Sequence, residues 1–210
     1  MTRREGIAFV LSAPSGTGKT TICKILKERR PDLKFSVSHT TRAPRKNETE
    51  GVDYFFIPEP EFKAKIERGE FLEWARVYGN YYGTAFDTVD EFKKKGQDLL
   101  LDLDVQGVQS LRKLNFPGVY IFILPPSLAE LRQRLAKRGT EPEGEIAQRI
   151  EVGKDEISQY GLYDYVVTNT DLEEAVAAVL AIARAERSRA CRFVSQSPDI
   201  QSLLDSKVKI

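Results

Sequence analysis

The chain has 210 residues, enough for one sizeable core with room for an inserted lobe. Apolar residues at 41% and charged residues at 30% read as a soluble globular protein. Lys and Arg total 32 against 31 Asp and Glu, so bulk charge gives no reason to expect nucleic acid or an anionic membrane as partner. Any anionic ligand must be held by local basic clusters.

In chain order, Ile7 to Leu11 is a continuous apolar run, as expected of a strand buried on both faces. It is too short to span a membrane, and no small-residue cleavage site follows it. A glycine-rich turn comes next, Ser12 to Thr20. Ile22, Ile25 and Leu26 then recur at helical spacing up to Pro31. Phe35 to Thr41 alternates like a half-buried strand. Asp53 to Ile57 and Glu70 to Val77 read as extended, with a short helix over Glu61 to Arg68 between them. Aromatic residues from Tyr54 to Tyr82, including Tyr78, mark 36–88 as an inserted β-rich lobe.

The α/β rhythm returns with strands at Leu99 to Val105, Val119 to Leu124 and Tyr163 to Val167. Helices are expected after each of the first two, again from Glu145 to Gln159, and from Leu172 to Arg189. The stretch Thr140 to Gly144 reads as a loop. The C-terminal twenty or so residues fit a docked helix or a frayed tail. Cys23 and Cys191 are far apart with no ligand spacing, so neither a disulfide nor a zinc site is expected, and cytoplasm is the expected compartment. The fold class is α/β: a core of 1–35, 89–126 and 156–210 with a parallel sheet flanked by helices, the lobe 36–88, and a helical lid at 127–155.

The turn Ala13-Pro14-Ser15-Gly16-Thr17-Gly18-Lys19-Thr20 fits a Walker A phosphate loop, with Ala13 in place of the first glycine. Its backbone N–H groups are suited to curl around a phosphate, with Gly16 and Gly18 keeping side chains clear. The following helix points its positive end at the same anion. Lys19 supplies a charge toward the terminal phosphates and Thr20 a hydroxyl for Mg²⁺. This predicts a P-loop nucleoside triphosphate site without choosing kinase, GTPase or ATPase.

Asp102 and Asp104 end the apolar strand from Leu99. Open α/β sheets bind ligands beyond the carboxyl ends of their strands, so Asp102 is placed to hold magnesium or its waters. Asp at a strand end also serves as a turn or cap residue. Arg42 and Arg45 bracket Pro44, which stiffens two guanidinium forks suited to phosphate; a solvated basic turn has the same composition. Tyr54, Tyr81 and Tyr82 offer phenolic donors. Glu73 lies among Phe71, Leu72 and Trp74. A carboxylate there matches the parallel donors of guanine, N1–H and the 2-amino group, and repels the N1 acceptor of adenine. Simple alternation also allows Glu73 to face solvent.

The run Ser36 to Arg45 resembles the acceptor-site signature of guanylate kinases. So do Gly51-Val52-Asp53-Tyr54, Phe71-Leu72-Glu73-Trp74-Ala75, Gly79 to Thr84, Asp102-Leu103-Asp104-Val105-Gln106-Gly107 and Arg138-Gly139-Thr140-Glu141. The likeness spans roughly residues 6 to 185 in order. It implies transfer of the γ-phosphoryl group of ATP to GMP with Mg²⁺. Position by position, it implies that Ser38 and Thr84 meet guanine O6, and that Glu73, with Asp104, takes the N1 and 2-amino donors. Arg42, Arg45, Tyr54 and Tyr82 would hold the GMP phosphate, while Ala13 to Thr20 would hold ATP, with Asn169 near adenine. Lys19, Arg42, Arg138 and Arg149 would act on the transferring group. Arg134, one turn before Arg138, would join the clamp; without the resemblance these are equally surface arginines. His39 stands where serine is commoner and reads as a surface variation. The expected partners are ATP and GMP, with no nucleic acid or membrane, in a monomer or homo-oligomer.

Two rival functions use the same core. A non-catalytic interaction module would tolerate a damaged phosphate loop, whereas Gly18-Lys19-Thr20 is intact here. A phosphotransferase for another acceptor would not need Glu73. A GTPase is disfavoured by the lack of an Asn-Lys-x-Asp run.

Overall fold

The structure, a computed structural model, describes residues 6–46, 48–77, 79–137, 143–192, 202 and 205. Tyr78, Arg138, the first part of the expected loop Thr140 to Gly144, and nearly all of the C-terminal tail lie outside the described residues. The strands are β1 (Ala8–Ser12), β2 (Lys34–Phe35), β3 (Ser38–Thr40), β4 (Tyr54–Phe56), β5 (Phe71–Val77), β6 (Asn80–Ala85), β7 (Leu99–Leu103), β8 (Val119–Leu124) and β9 (Tyr165–Thr168). The helices are α1 (Lys19–Arg29), α2 (Glu59–Glu67), α3 (Phe86–Lys95), α4 (Val105–Lys113), α5 (Leu128–Lys137), α6 (Glu143–Ser158) and α7 (Leu172–Arg187).

A five-stranded sheet runs β2-β7-β1-β8-β9, with every neighbouring pair parallel. Its central strand β1 is buried along its whole length. Period-2 alternation sends Phe9 and Leu11 to the side covered by α1 and α7, and Ala8 and Val10 to the side covered by α4. That explains the unbroken apolar run: both faces are covered, so neither needs polar residues. Leu11 pairs with Asp102 and Ser12 with Leu103, so the chain leaves β1 beside the carboxyl end of β7.

The second sheet has four strands in the order β4-β3-β6-β5. The stretch Phe35 to Thr41, expected as one strand, is two: β2 belongs to the first sheet and β3 to the second, with Ser36 and Val37 crossing between them. Alternation continues through both pieces, so pattern alone does not reveal the crossing. In β5 a bulge between Phe71 and Glu73 lets both Leu72 and Glu73 be buried. Leu72 packs into the core cluster that holds Val105 and Val108 of α4, which fastens the second sheet to the first unit. His39 corrects the surface reading: it is half-buried, its ring 4.9 Å from Phe55 and 5.5 Å from Phe71. No described helix is long and apolar enough to cross a membrane.

Candidate active site

The turn after β1 forms the floor of a cleft of about 410 Å³. Gly16 and Gly18 sit at φ 91° and 104°, in the left-handed region where glycine carries no Cβ penalty. A Cβ on Gly18 would also lie 2.7 Å from the Asn169 side-chain nitrogen. That side chain is buried and donates to the Thr17 carbonyl at 2.7 Å. Arg134 donates to the same carbonyl at 3.0 Å and to the Asn169 carbonyl at 3.3 Å. Arg134 is thus a strut behind the loop rather than part of an open clamp. Thr17 and Asn169 meet behind the loop, while Ala13, Pro14, Ser15, Gly16, Gly18, Lys19 and Thr20 line the cleft.

The Lys19 ammonium lies 2.6 Å from Asp102 Oδ1 and also donates to the Leu103 carbonyl. Burial alone would lower its pKa. The charge and hydrogen bond of Asp102 outweigh that and hold it above the ordinary lysine range, so it stays protonated. The Thr20 side chain is exposed at the cleft floor. Thr20 and Asp102 give two hard oxygen ligands at the phosphate loop, a donor set that fits Mg²⁺, which takes few protein ligands and keeps phosphate and water oxygens.

Arg42, Arg45, Tyr54 and Tyr82 line the same cleft. Arg42 Nη2 donates to both Glu48 carboxylate oxygens at 2.8 and 2.9 Å, its Nη1 donates to the Ala43 carbonyl at 2.7 Å, and the guanidinium lies 5.6 Å from the Tyr54 ring centre. Glu48 also accepts from the Arg45 backbone N–H at 2.8 Å, so one carboxylate braces the whole turn. Burial pushes the Tyr54 phenol up to about 12, keeping it a donor.

Ser38, Glu73 and Asp104 line the cleft with them, and Thr84 pairs with Glu73 across β5 and β6. Ser38 Oγ and Thr84 Oγ1 are 3.4 Å apart, and Thr84 is fully buried. Asp104 caps α4 by accepting from the Gly107 N–H at 2.7 Å. Glu73 is 6% exposed whereas Trp74 is 43% exposed, so the carboxylate faces inward and the indole outward. Burial pushes the Glu73 carboxyl up to about 7; Thr84 hydrogen bonds oppose the shift, and Asp104 adds to it.

Two residues of the site are not legible as such in the sequence reading. Glu48 is one, bracing Arg42 from outside the cleft lining. Glu156 is the other: it lines the cleft from α6 with Arg149, and burial pushes its carboxyl up to about 7. A signal existed for the second, since residues seven apart share a helix face.

Residues 5–186 match the family model described as guanylate kinase. The chain belongs to the guanylate kinase family. A guanylate kinase from Syntrophus aciditrophicus (strain SB) is 48% identical over 203 residues, covering 97% of this chain and 96% of that protein. One from Geobacter metallireducens is 46% identical over 192 residues, covering 91% and 95%. The crystal structure of guanylate kinase from Anaplasma phagocytophilum matches with a TM-score of 0.77 at 36% identity, over 99% of this chain and 97% of that one. The guanylate kinase fold, a parallel α/β core with a second sheet, is the one described above.

Proposed function

We propose that this cleft moves the γ-phosphoryl group of ATP to the phosphate of GMP, giving ADP and GDP, and that the residues named above divide the work. One observation carries the reading: the loop lysine, the paired arginines and a buried carboxylate all line one cleft. Ala13 to Thr20 hold the ATP phosphates, with Asn169 bracing the loop and lying toward adenine. Arg42, Arg45, Tyr54 and Tyr82 hold the GMP phosphate. Glu73, Ser38, Thr84 and Asp104 read guanine. Residues 36–88 act as the acceptor lobe and 127–155 as the lid, bringing in Arg149 and Arg138.

The attacking oxygen is a phosphate oxygen, anionic at neutral pH, so no general base is required. Catalysis then reduces to positioning and charge. Arg42 and Arg45 offset the repulsion between two polyanions as they approach. Lys19 and Arg149 stabilise charge on the transferring group. Thr20 and Asp102 would hold Mg²⁺, which would supply charge neutralisation of the triphosphate. Lid closure excludes water and suppresses ATP hydrolysis. The cytoplasm is the proposed compartment, and the partners are these two nucleotides.

The test is turnover with ATP and Mg²⁺ across GMP, AMP, CMP and UMP. ADP release with GMP far above the rest is expected; equal rates, or none with GMP, overturn the reading.

The Glu73 carboxyl gives a pH prediction. Its ionised form accepts from both guanine donors, and its proton is held up to about pH 7. GMP affinity should be full above pH 7 and fall below it, approaching about tenfold per pH unit. The GMP phosphate titrates nearby, so calorimetric titrations of Glu73→Gln are the control. The part of the slope due to Glu73 should vanish in that variant.

A further inference from the structure

We propose that Gly107 is a positioning residue for base selection, because the absence of a side chain there lets the Glu73 carboxylate lie against the first turn of α4. The proposal rests on the reading of Glu73 as the guanine-recognising group.

A Cβ built on Gly107 would lie 2.7 Å from Glu73 Oε2 and 3.3 Å from its Cδ; the next atom, Asp104 Oδ1, is at an ordinary 3.5 Å. The helix gives no other reason for glycine. Gly107 does not have positive φ, unlike Gly16 or Gly18. Within a helix, alanine is preferred over glycine. Local energetics therefore favour alanine, and the obstacle to it is the Glu73 carboxylate.

A methyl at Gly107 would displace that carboxylate toward the cleft it lines, off its present position, while the backbone that carries it stays in place. Glu73 is buried, Thr84 beside it is fully buried, and the bulge after Phe71 fixes where β5 delivers it. Its position also belongs to two units at once: β5 is in the second sheet and α4 follows β7 in the first. The Gly107 N–H is already taken by Asp104, so the N-terminal turn holds its own cap while leaving space for a neighbouring carboxylate. The positive end of the helix favours charge at that place. Gly107 thus acts through Glu73 and touches no reacting atom.

The test is a double-mutant cycle of Gly107→Ala and Glu73→Ala. The readouts are kcat and KM for GMP and AMP, KM for ATP, and thermal unfolding. Gly107→Ala alone should lower kcat/KM for GMP by about 10- to 100-fold, the scale of a misplaced contact. KM for ATP should stay within about twofold, since a displaced carboxylate leaves the phosphate loop alone. Unfolding should be unchanged or later. In the Glu73→Ala background the same glycine change should cost nothing further.

Equal penalties in both backgrounds, or an unchanged GMP-to-AMP ratio in Gly107→Ala beside a normal loss in Glu73→Ala, overturn the proposal alone. An unchanged ratio in Glu73→Ala itself overturns the guanine reading and the proposal with it. If Gly107→Ala fails to fold, the pair Gly107→Ala with Glu73→Asp decides. The shorter acid clears the new methyl, so folding and part of the GMP preference should return; a folded pair with no GMP preference contradicts the proposal.

Discussion

Replacing Lys19 by methionine is expected to leave GMP binding intact and to lower turnover by about 10²- to 10³-fold, the usual cost of removing a preorganised group aimed at developing charge. Methionine keeps the length of the side chain and removes its ammonium. The ammonium faces the cleft between Asp102 and the Leu103 carbonyl. Before ATP arrives its charge is matched by Asp102, which spares the phosphate loop an uncompensated buried cation. ATP brings several negative charges to the same place and draws the ammonium toward the terminal phosphates. The variant leaves Asp102 unmatched, so some loss of thermal stability accompanies the loss of rate. ADP release at saturating ATP and GMP, with GMP titration calorimetry and a melting curve, separates the two effects. Turnover at the wild-type rate would remove the loop from the mechanism.

Glu73→Gln is expected to lower kcat/KM for GMP on the order of 10- to 150-fold, because a charged hydrogen-bond partner contributes about 1.5–3 kcal/mol. Glutamine keeps the shape and one acceptor, and turns an amide N–H₂ toward a second guanine donor. Discrimination against AMP should narrow for the same reason. The sign of the stability change is opposite. Glu73 has a folded pKa near 7, above the ordinary glutamate value. The unfolded chain therefore releases this proton first as pH rises, and wild-type stability falls through that window. The neutral amide escapes this cost, so the melting temperature of Glu73→Gln should rise relative to wild type, more at pH 8 than at pH 5. Loss of function joined to gain of stability marks a residue kept for recognition rather than for folding.

How legible these residues were in the chain depended on range. The apolar run into Gly16-Thr17-Gly18-Lys19-Thr20 is a local signal, and β1, the loop and α1 follow it closely. The phase of β5 is not local. Alternation leaves the orientation of Glu73 open, and the structure turns it inward and Trp74 outward, since the inward side of this strand faces the cleft. The apolar neighbours suggest a buried carboxylate and simple alternation a solvated one, and the longer motif match favours the first. The strand β6 and helix α3 were missed because Tyr81-Tyr82-Gly83-Thr84 breaks alternation with a glycine and α3 follows without an intervening turn. The struts behind the loop join Thr17 to Arg134 and Asn169 across more than a hundred residues. No periodicity encodes that contact, which is why Arg134 was grouped with a closing clamp. Glu48 was readable in principle, as a carboxylate three residues after Arg45 in the same turn.

The central claim is that both nucleotides meet in one cleft with their phosphates facing. A compound joining adenosine to guanosine through a polyphosphate chain tests it directly. Inhibition competitive against both ATP and GMP, with affinity well beyond either nucleotide alone, is the predicted result. Competition with only one of them, at no gain in affinity, would contradict the account.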